Sequence, residues 1–168
     1  MDKLLIIIDV QNGFINNATK FIPNCIEKLL SKNIFNKVIF TKYINDENSI
    51  FYKSLNYKGC ITEEERKIVV DTKNYQILEK RTYTAFNDEL RKYIKKNNIR
   101  SIYLCGIDTD ACVLKTALDL FDNNYDVKII EDCSMSHLGI IYHNYAIQIL
   151  KNLIGENNII KMLDNDNR

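Results

Sequence analysis

The chain has 168 residues, with 23 Lys and Arg against 22 Asp and Glu for a net charge of +1, a balance that gives no bulk electrostatic case for nucleic acid or an anionic membrane and leaves a small molecule as the expected partner. That length lets one domain bury about two thirds of its unfolded surface, so residues 1–168 are expected to form a single domain. The five cysteines, an odd number with no CxxC pair, argue against a disulfide framework or a zinc cage and for a reducing compartment, the cytoplasm by default.

The first apolar run, Leu4–Ile8, ends at Asp9; it is too short for a signal-peptide core or a spanning helix and reads as a buried strand. Pro23, a favoured early-helix residue, is followed by Ile26, Leu29 and Leu30 at helical spacing. Val38–Tyr43 reads as the second strand. The stretch 44–70 is longer than a simple crossover and carries Phe51, Tyr52, Tyr57, Gly59 and a capping-box start at Thr62-Glu-Glu-Glu65. It reads as a loop plus short helix, either covering a pocket or forming an exposed insertion or subunit contact. Tyr75–Leu78 is the third strand. Phe86, Leu90, Tyr93 and Ile94 then repeat at helical spacing, with Asp88 and Glu89 early and Lys95 and Lys96 late, as the helix dipole favours. Ile99–Leu104 gives a fourth strand, Leu114, Ala117, Leu118 and Phe121 another helix, and Val127–Ile130 a fifth strand. The last long helix is expected to begin near Ser136, bury Leu138, Ile141, Tyr145, Ile149 and Leu153, and stop at Gly155 before a weak strand at Ile159–Met162.

Strand–helix alternation with near-continuous apolar strands predicts an α/β fold: a doubly wound, Rossmann-like, mostly parallel six-stranded sheet with helices on both faces. In such sheets the ligand sits outside the carboxyl ends of the strands, at the switch point between the halves. Asp9 ends the first strand, Lys80 follows the third and Cys112 follows the fourth, so base, cation and thiol can share one edge. Cys112 lies where a strand turns into a helix, among unpaired N–H groups and the positive dipole end, which favour thiolate. Each residue alone has a plainer reading. Asp9 also reads as an N-cap or loop carboxylate, Lys80 or its neighbour Arg81 as a solvated side chain, and Cys112 as an inert core thiol. Cys25, Cys60, Cys105 and Cys133 have no evident activating neighbours and read as structural.

Taken together, three segments resemble the isochorismatase-like cysteine hydrolase superfamily, which includes nicotinamidases, N-carbamoylsarcosine amidohydrolases and ureidoacrylate amidohydrolases. They are Asp9-Val-Gln-Asn-Gly-Phe14, Lys80-Arg-Thr-Tyr-Thr-Ala-Phe86 and Gly106-Ile-Asp-Thr-Asp-Ala-Cys112-Val113, in the family's order, with Glu131-Asp-Cys-Ser-Met-Ser136 following the next strand. The resemblance implies a triad of Asp9, Lys80 and Cys112. Lys80 would favour the thiolate, and Asp9 would take the thiol proton and deliver it to the departing amine. It also implies an oxyanion hole from the backbone N–H groups of Asp108 and Cys112, a cis peptide at Ile107–Asp108, and a homo-oligomer, with no cofactor called for. Softer pocket candidates are Gln11, Phe14, Tyr83 and Thr109. Phe86 reads as core packing, and Asp110 as a helix-start carboxylate or a substrate contact.

Nicotinamidases of this superfamily place an Asp and His metal cluster after the second strand, where this chain reads Thr41-Lys-Tyr-Ile-Asn-Asp-Glu47 without a histidine. His137 and His143 fall in or beside the last helix, and no metal site is expected. Retention of Cys112 tilts the expected reaction toward carbon–nitrogen hydrolysis of a small amide or carbamoyl compound. Vinyl-ether hydrolysis, which does not require a nucleophilic thiol, stays open, as does a silent ligand-binding or redox-sensing member. A nucleotide-binding module is disfavoured, because the turn after the first strand lacks GxGxxG.

Overall fold

The computed structural model describes residues 2–163; Met1 and residues 164–168, the ends of the expected 1–168 domain, lie outside it. Six strands, β1 (Lys3–Ile8), β2 (Lys37–Tyr43), β3 (Gln76–Lys80), β4 (Ser101–Ile107), β5 (Asp126–Met135) and β6 (Ile159–Ile160), form one sheet in the order β3-β2-β1-β4-β5-β6. Each neighbouring pair is parallel. The chain winds outward from β1 to β3, returns to lay β4 beside β1, and winds outward the other way. The reversal makes the β1/β4 boundary the switch point.

Alternation along β1 divides the core. Leu4, Ile6 and Ile8 pack on one face with Leu90 and Ile94 of α4 (Asp88–Lys96), Ala117 and Leu120 of α5 (Leu114–Asp122), and Ile147 and Leu150 of α6 (Ile140–Ile154). Leu5 and Ile7 pack on the other with Ile22, Ile26 and Leu29 of α1 (Ile22–Ser31). The sheet is thus covered on both faces, which is why its strands read as apolar runs rather than alternating ones. Where β1 and β4 leave the sheet together, Gly106 has φ +119, and a Cβ there would stand 2.2 Å from the Ile8 carbonyl oxygen. Only glycine fits that approach.

Residues 44–70 fold as α2 (Ile50–Leu55) and α3 (Glu63–Arg66), with Ser49 capping the first and the expected Thr62/Glu65 capping box starting the second. β3 runs to Lys80, so the lysine ends the strand rather than following it. β5 continues to Met135, past the expected end at Ile130, because the polar pair Glu131-Asp132 masks the extension.

The last helix corrects the sequence reading. It begins at Ile140, and its buried side chains are His143, Ala146, Ile147, Leu150 and Ile154. The expected core stripe is outside: Leu138, Ile141, Tyr145, Ile149 and Leu153 are all exposed, Tyr145 by 65%. The helix is apolar on both faces, so spacing alone selected the wrong one. Among the described residues no helix is long and apolar enough to cross a membrane.

Candidate active site

Asp9 follows β1 with φ +48. Its N–H donates to Thr41 Oγ1 at 3.0 Å, and the Thr41 hydroxyl donates back to Asp9 Oδ1 at 2.6 Å. Thr41 belongs to the adjacent strand β2, so the sheet itself orients the carboxylate. The other oxygen, Oδ2, lies 2.7 Å from Lys80 Nζ. The same ammonium donates to the carbonyls of Thr82 (2.8 Å) and Tyr83 (3.2 Å) and stands 3.4 Å from Cys112 Sγ. Asp9, Lys80 and Cys112 therefore meet at one sheet edge.

Cys112 sits in a π-helical turn, Thr109–Val113, closed by the Val113 N–H on the Asp108 carbonyl at 3.0 Å and running directly into α5. The peptide Ile107–Asp108 is cis, as the resemblance implies. Burial pushes the Cys112 thiol well above its ordinary pKa; Asp9 pushes the same way, and Lys80 opposes without prevailing. Burial of the anion therefore works against the thiolate that the helix start and Lys80 favour. For Lys80, burial acts downward, but Asp9 and Cys112 raise its pKa above the usual lysine value, so it stays an ammonium. The other thiols are raised by burial too, Cys60 to about 12, and all five cysteines are free.

Cys112 opens on a cavity of about 530 Å³. Phe14 from the turn after β1, Tyr43 from β2, Phe51 and Tyr57 from the 44–70 segment, and Tyr83 from the loop after β3 form an aromatic wall. Their rings are linked, with Phe14 and Tyr43 centroids at 6.3 Å, Tyr43 and Phe51 at 5.5 Å, and Phe51 and Tyr83 at 4.8 Å. Leu114 and Leu118 of α5 and the polar residues Asp108, Asp110 and His137 complete the lining. Phe14 and Tyr83 are therefore at the cavity, as expected.

Gln11 and Thr109 are not. Gln11 is fully buried, its amide nitrogen donating to the carbonyls of Tyr43 and Arg66 and its oxygen accepting from the Tyr43 N–H at 2.7 Å. It ties β2 to the 44–70 segment. Thr109 is also fully buried, its hydroxyl 2.8 Å from His143 Nδ1 on α6. Both read as pocket residues in sequence because proximity to a motif does not fix which way a side chain turns. Phe86 packs in the core, as expected.

Three contributors escaped the sequence reading. Thr41 and Tyr43 lay inside an apolar strand whose alternation carried no functional sign. His137 reads in sequence only as a residue in or beside the last helix. In the structure its N–H donates to Asp108 Oδ1 at 2.6 Å and its Nδ1 lies 2.5 Å from Asp108 Oδ2. That bond raises the His137 pKa above its ordinary value against the effect of burial, while burial pushes the Asp108 carboxyl up against the pull of His137. In the stretch 41–47, Asn45 is spent on the carbonyls of Tyr57 and Gly59, and Asp46 pairs with Arg81. Among the described residues no group of three or more His, Cys, Asp and Glu is placed to hold a metal ion.

A doubly wound parallel sheet with Asp9, Lys80 and Cys112 gathered at its switch point defines an isochorismatase-like α/β protein. Residues 3–157 match the isochorismatase domain, and the chain belongs to the isochorismatase family. It is 28% identical over 143 residues to isochorismatase family protein 2A of Dictyostelium discoideum, covering 79% of this chain and 66% of that one. It is 31% identical over 141 residues to protein 1A of the same organism, covering 80% and 64%. The matches thus span just under two thirds of these relatives' length. In structure the chain is similar to a nicotinamidase from Bacillus subtilis, with a TM-score of 0.83, 24% identity and coverage of 96% and 100%. It is also similar to an N-carbamoylsarcosine amidase from Thermoplasma acidophilum, with a TM-score of 0.79, 18% identity and coverage of 99% and 100%.

Proposed function

We propose that the protein is a cysteine hydrolase that cleaves the C–N bond of a small amide or carbamoyl compound through a thioester at Cys112. The observation that carries this reading is the continuous contact from Asp9 Oδ2 to Lys80 Nζ (2.7 Å) and on to Cys112 Sγ (3.4 Å), opening on the aromatic cavity. The family resemblance and the amidases among the structural relatives support it.

In this mechanism Asp9 takes the thiol proton as Cys112 Sγ attacks the carbonyl carbon, so the costly buried thiolate never accumulates. Lys80 offsets the charge passing through sulfur and keeps Asp9 in place. Backbone N–H groups of Asp108 and Cys112 would receive the oxyanion. Asp9 returns the proton to the leaving nitrogen as the C–N bond breaks, leaving a thioester and an amine or ammonia. Water, deprotonated by Asp9, attacks the thioester; the C–S bond breaks, the acid departs and the sulfur recovers its proton.

An ammonia-release screen over primary amides and carbamoyl compounds tests this. Turnover is expected and should vanish in Cys112→Ala; turnover persisting in that variant rejects covalent catalysis by this residue. The raised thiol pKa weighs against a redox-sensing role, since oxidation follows thiolate character. The exposed apolar stripe on α6 supports a homo-oligomer with a second copy covering that face. Five free thiols support residence in a reducing compartment such as the cytoplasm.

A further inference from the structure

Asp108 is held from two sides. It follows β4 directly and is 6% exposed. Its carbonyl oxygen accepts from the N–H groups of Ala111 at 3.2 Å and Val113 at 3.0 Å, within the turn that carries Cys112. Both of its carboxylate oxygens go to a single residue beyond β5: Oδ1 accepts from the His137 N–H at 2.6 Å, and Oδ2 lies 2.5 Å from His137 Nδ1. Ile107 and Met135, the last residues of β4 and β5, are paired in register. Asp108 and His137 therefore leave adjacent strands at the edge that holds Cys112.

His137 is itself fixed. Its carbonyl accepts from Asn16 Nδ2 at 2.8 Å. The turn through it is closed by the Leu138 N–H on Ser136 Oγ (3.1 Å) and the Gly139 N–H on the Ser136 carbonyl (3.0 Å). A carboxylate held at one oxygen can still turn, whereas two donors from one residue, one at each oxygen, set its plane as well as its position. The restraint reaches the Asp108 backbone because side chain and peptide share one Cα. A buried ion pair is a weak source of stability, and apolar side chains could fill the same space; what this pair supplies is direction. The charged groups that act on His137 are Asp108 and Asp110, and the Phe14 ring packs beside it at 6.1 Å.

We infer that His137 is a positioning residue for the oxyanion hole: its two donors fix the Asp108 carboxylate and, through it, the Asp108 N–H that would receive the oxyanion. The inference rests on the hydrolase reading above, which draws its oxyanion donors from Asp108 and Cys112. Alignment of such a donor counts most in the transition state, when the charge is on oxygen. Loosening Asp108 therefore slows addition of the sulfur to a carbonyl and leaves its attack on a saturated carbon unaffected. The imidazolium makes a charge-assisted bond to Oδ2 and the neutral ring a weaker one. That bond raises the His137 pKa above its ordinary value, so the positioning is complete at low pH and slackens as pH rises through the folded pKa.

Two reagents for Cys112 separate positioning from packing. With p-nitrophenyl acetate, Sγ bonds the acetyl carbon through an oxyanion, and the ester C–O bond breaks to release p-nitrophenolate. With iodoacetamide, Sγ bonds the methylene carbon as iodide leaves, and no oxyanion forms. Both reactions draw on the same thiolate, so the ratio of their rates reports the oxyanion hole and cancels the ionisation of sulfur. The rates counted are the p-nitrophenolate burst and the Cys112 label, each absent from Cys112→Ala. In His137→Leu the ratio should fall about 10- to 100-fold, less than the roughly 10²–10³ of deleting an oxyanion donor outright, with alkylation nearly unchanged. His137→Asn keeps a donor near the Nδ1 position and should recover most of the ratio. In the unsubstituted protein the ratio should decline as pH rises through the His137 midpoint measured by NMR, and His137→Asn should show no such step. A ratio unchanged in His137→Leu, both rates falling together, or the same pH course in His137→Asn overturns the inference; if His137→Leu fails to fold, the pH comparison decides alone. An ester that does not acylate Cys112 overturns the inference and the covalent step together. His137-dependent acylation without Cys112-dependent ammonia release from any amide sustains the inference and overturns amide hydrolysis. Cys112-dependent release with a ratio indifferent to His137 does the reverse.

Discussion

Asp9 and Lys80 form an ion pair of 2.7 Å in which neither side chain is more than 1% exposed. The partners come from the ends of β1 and β3, which are not neighbours; β2 lies between them and contributes Thr41 to the Asp9 carboxylate. The pair is held by four further contacts, from Thr41 to the acid and from the ammonium to Thr82, Tyr83 and Cys112. Burial of both charges is costly, and the pair persists because nearly every lone pair and proton is used.

That balance fixes the first expectation. Lys80→Met leaves Asp9 as an uncompensated buried charge and should destabilise by about 3–5 kcal/mol. The double variant Asp9→Asn with Lys80→Met removes both charges and should be more stable than Lys80→Met alone. Urea unfolding of the two variants decides it, and a double variant weaker than the single contradicts the balance. Neither variant should turn over an amide substrate.

Thr41 acts through Asp9. Its hydroxyl holds Oδ1 and leaves Oδ2 facing the cation, so Thr41→Val should let the carboxylate turn. Loss of a hydrogen bond to a charged group is worth about 1.5–3 kcal/mol, hence a fall in kcat of roughly 10- to 100-fold. KM should change little, because Thr41 is absent from the cavity wall. Thr41→Ser restores the hydroxyl and should recover most of kcat; a serine variant as slow as the valine one argues for a packing role instead.

The two histidines should titrate on opposite sides of the ordinary imidazole value. The bond to Asp108 raises the His137 pKa above it, while burial lowers that of His143 below it. Since His137 is favoured as imidazolium in the folded chain, its contribution to stability is complete below about pH 6.5 and is lost as pH rises through its folded pKa. Proton NMR of the ring protons measures both, His137→Asn assigning the signals. Asp108→Asn should move the His137 midpoint downward and leave His143 nearly in place; an unmoved His137 refutes the pairing.

The parts of this molecule legible in sequence are those where one physical signal has one structural meaning. Leu4–Ile8 is buried on both faces and could only be an interior strand, and the ends of such strands carried Asp9 and Lys80 to the right edge. Where a signal has two meanings, the reading failed. The helix Ile140–Ile154 is apolar on opposite faces, so the stripe through Ile141 and Tyr145 matched helical spacing as well as the buried one through His143 and Ile147. Gln11 and Thr109 were misplaced because a motif fixes a residue's neighbourhood in sequence, whereas its rotamer answers to backbone carbonyls and to His143. Tyr43 carried no sign of its place at the cavity, since an aromatic inside an apolar strand reads as core.

Stability at alkaline pH should reveal the state of the thiols. Burial raises the pKa of Cys60 to about 12 from an ordinary 9.0 and raises Cys25, Cys105, Cys112 and Cys133 as well. Above about pH 9 the unfolded chain sheds these protons while the folded chain keeps them, so the native state binds more protons and stability falls with rising pH. Below that value both states hold them and the contribution is complete. Lys80, also raised, adds to the decline above about pH 10.5. Thermal melts should therefore change little in Tm from pH 7.5 to 8.5 and fall steeply from 9 to 10.5. In parallel, iodoacetamide at pH 7.5 should modify native Cys112 slowly, because attack needs a thiolate that the resting site withholds. Fast, selective alkylation of Cys112 under those conditions would establish a standing thiolate and return the Lys80 ammonium to the role of activating the sulfur before substrate arrives.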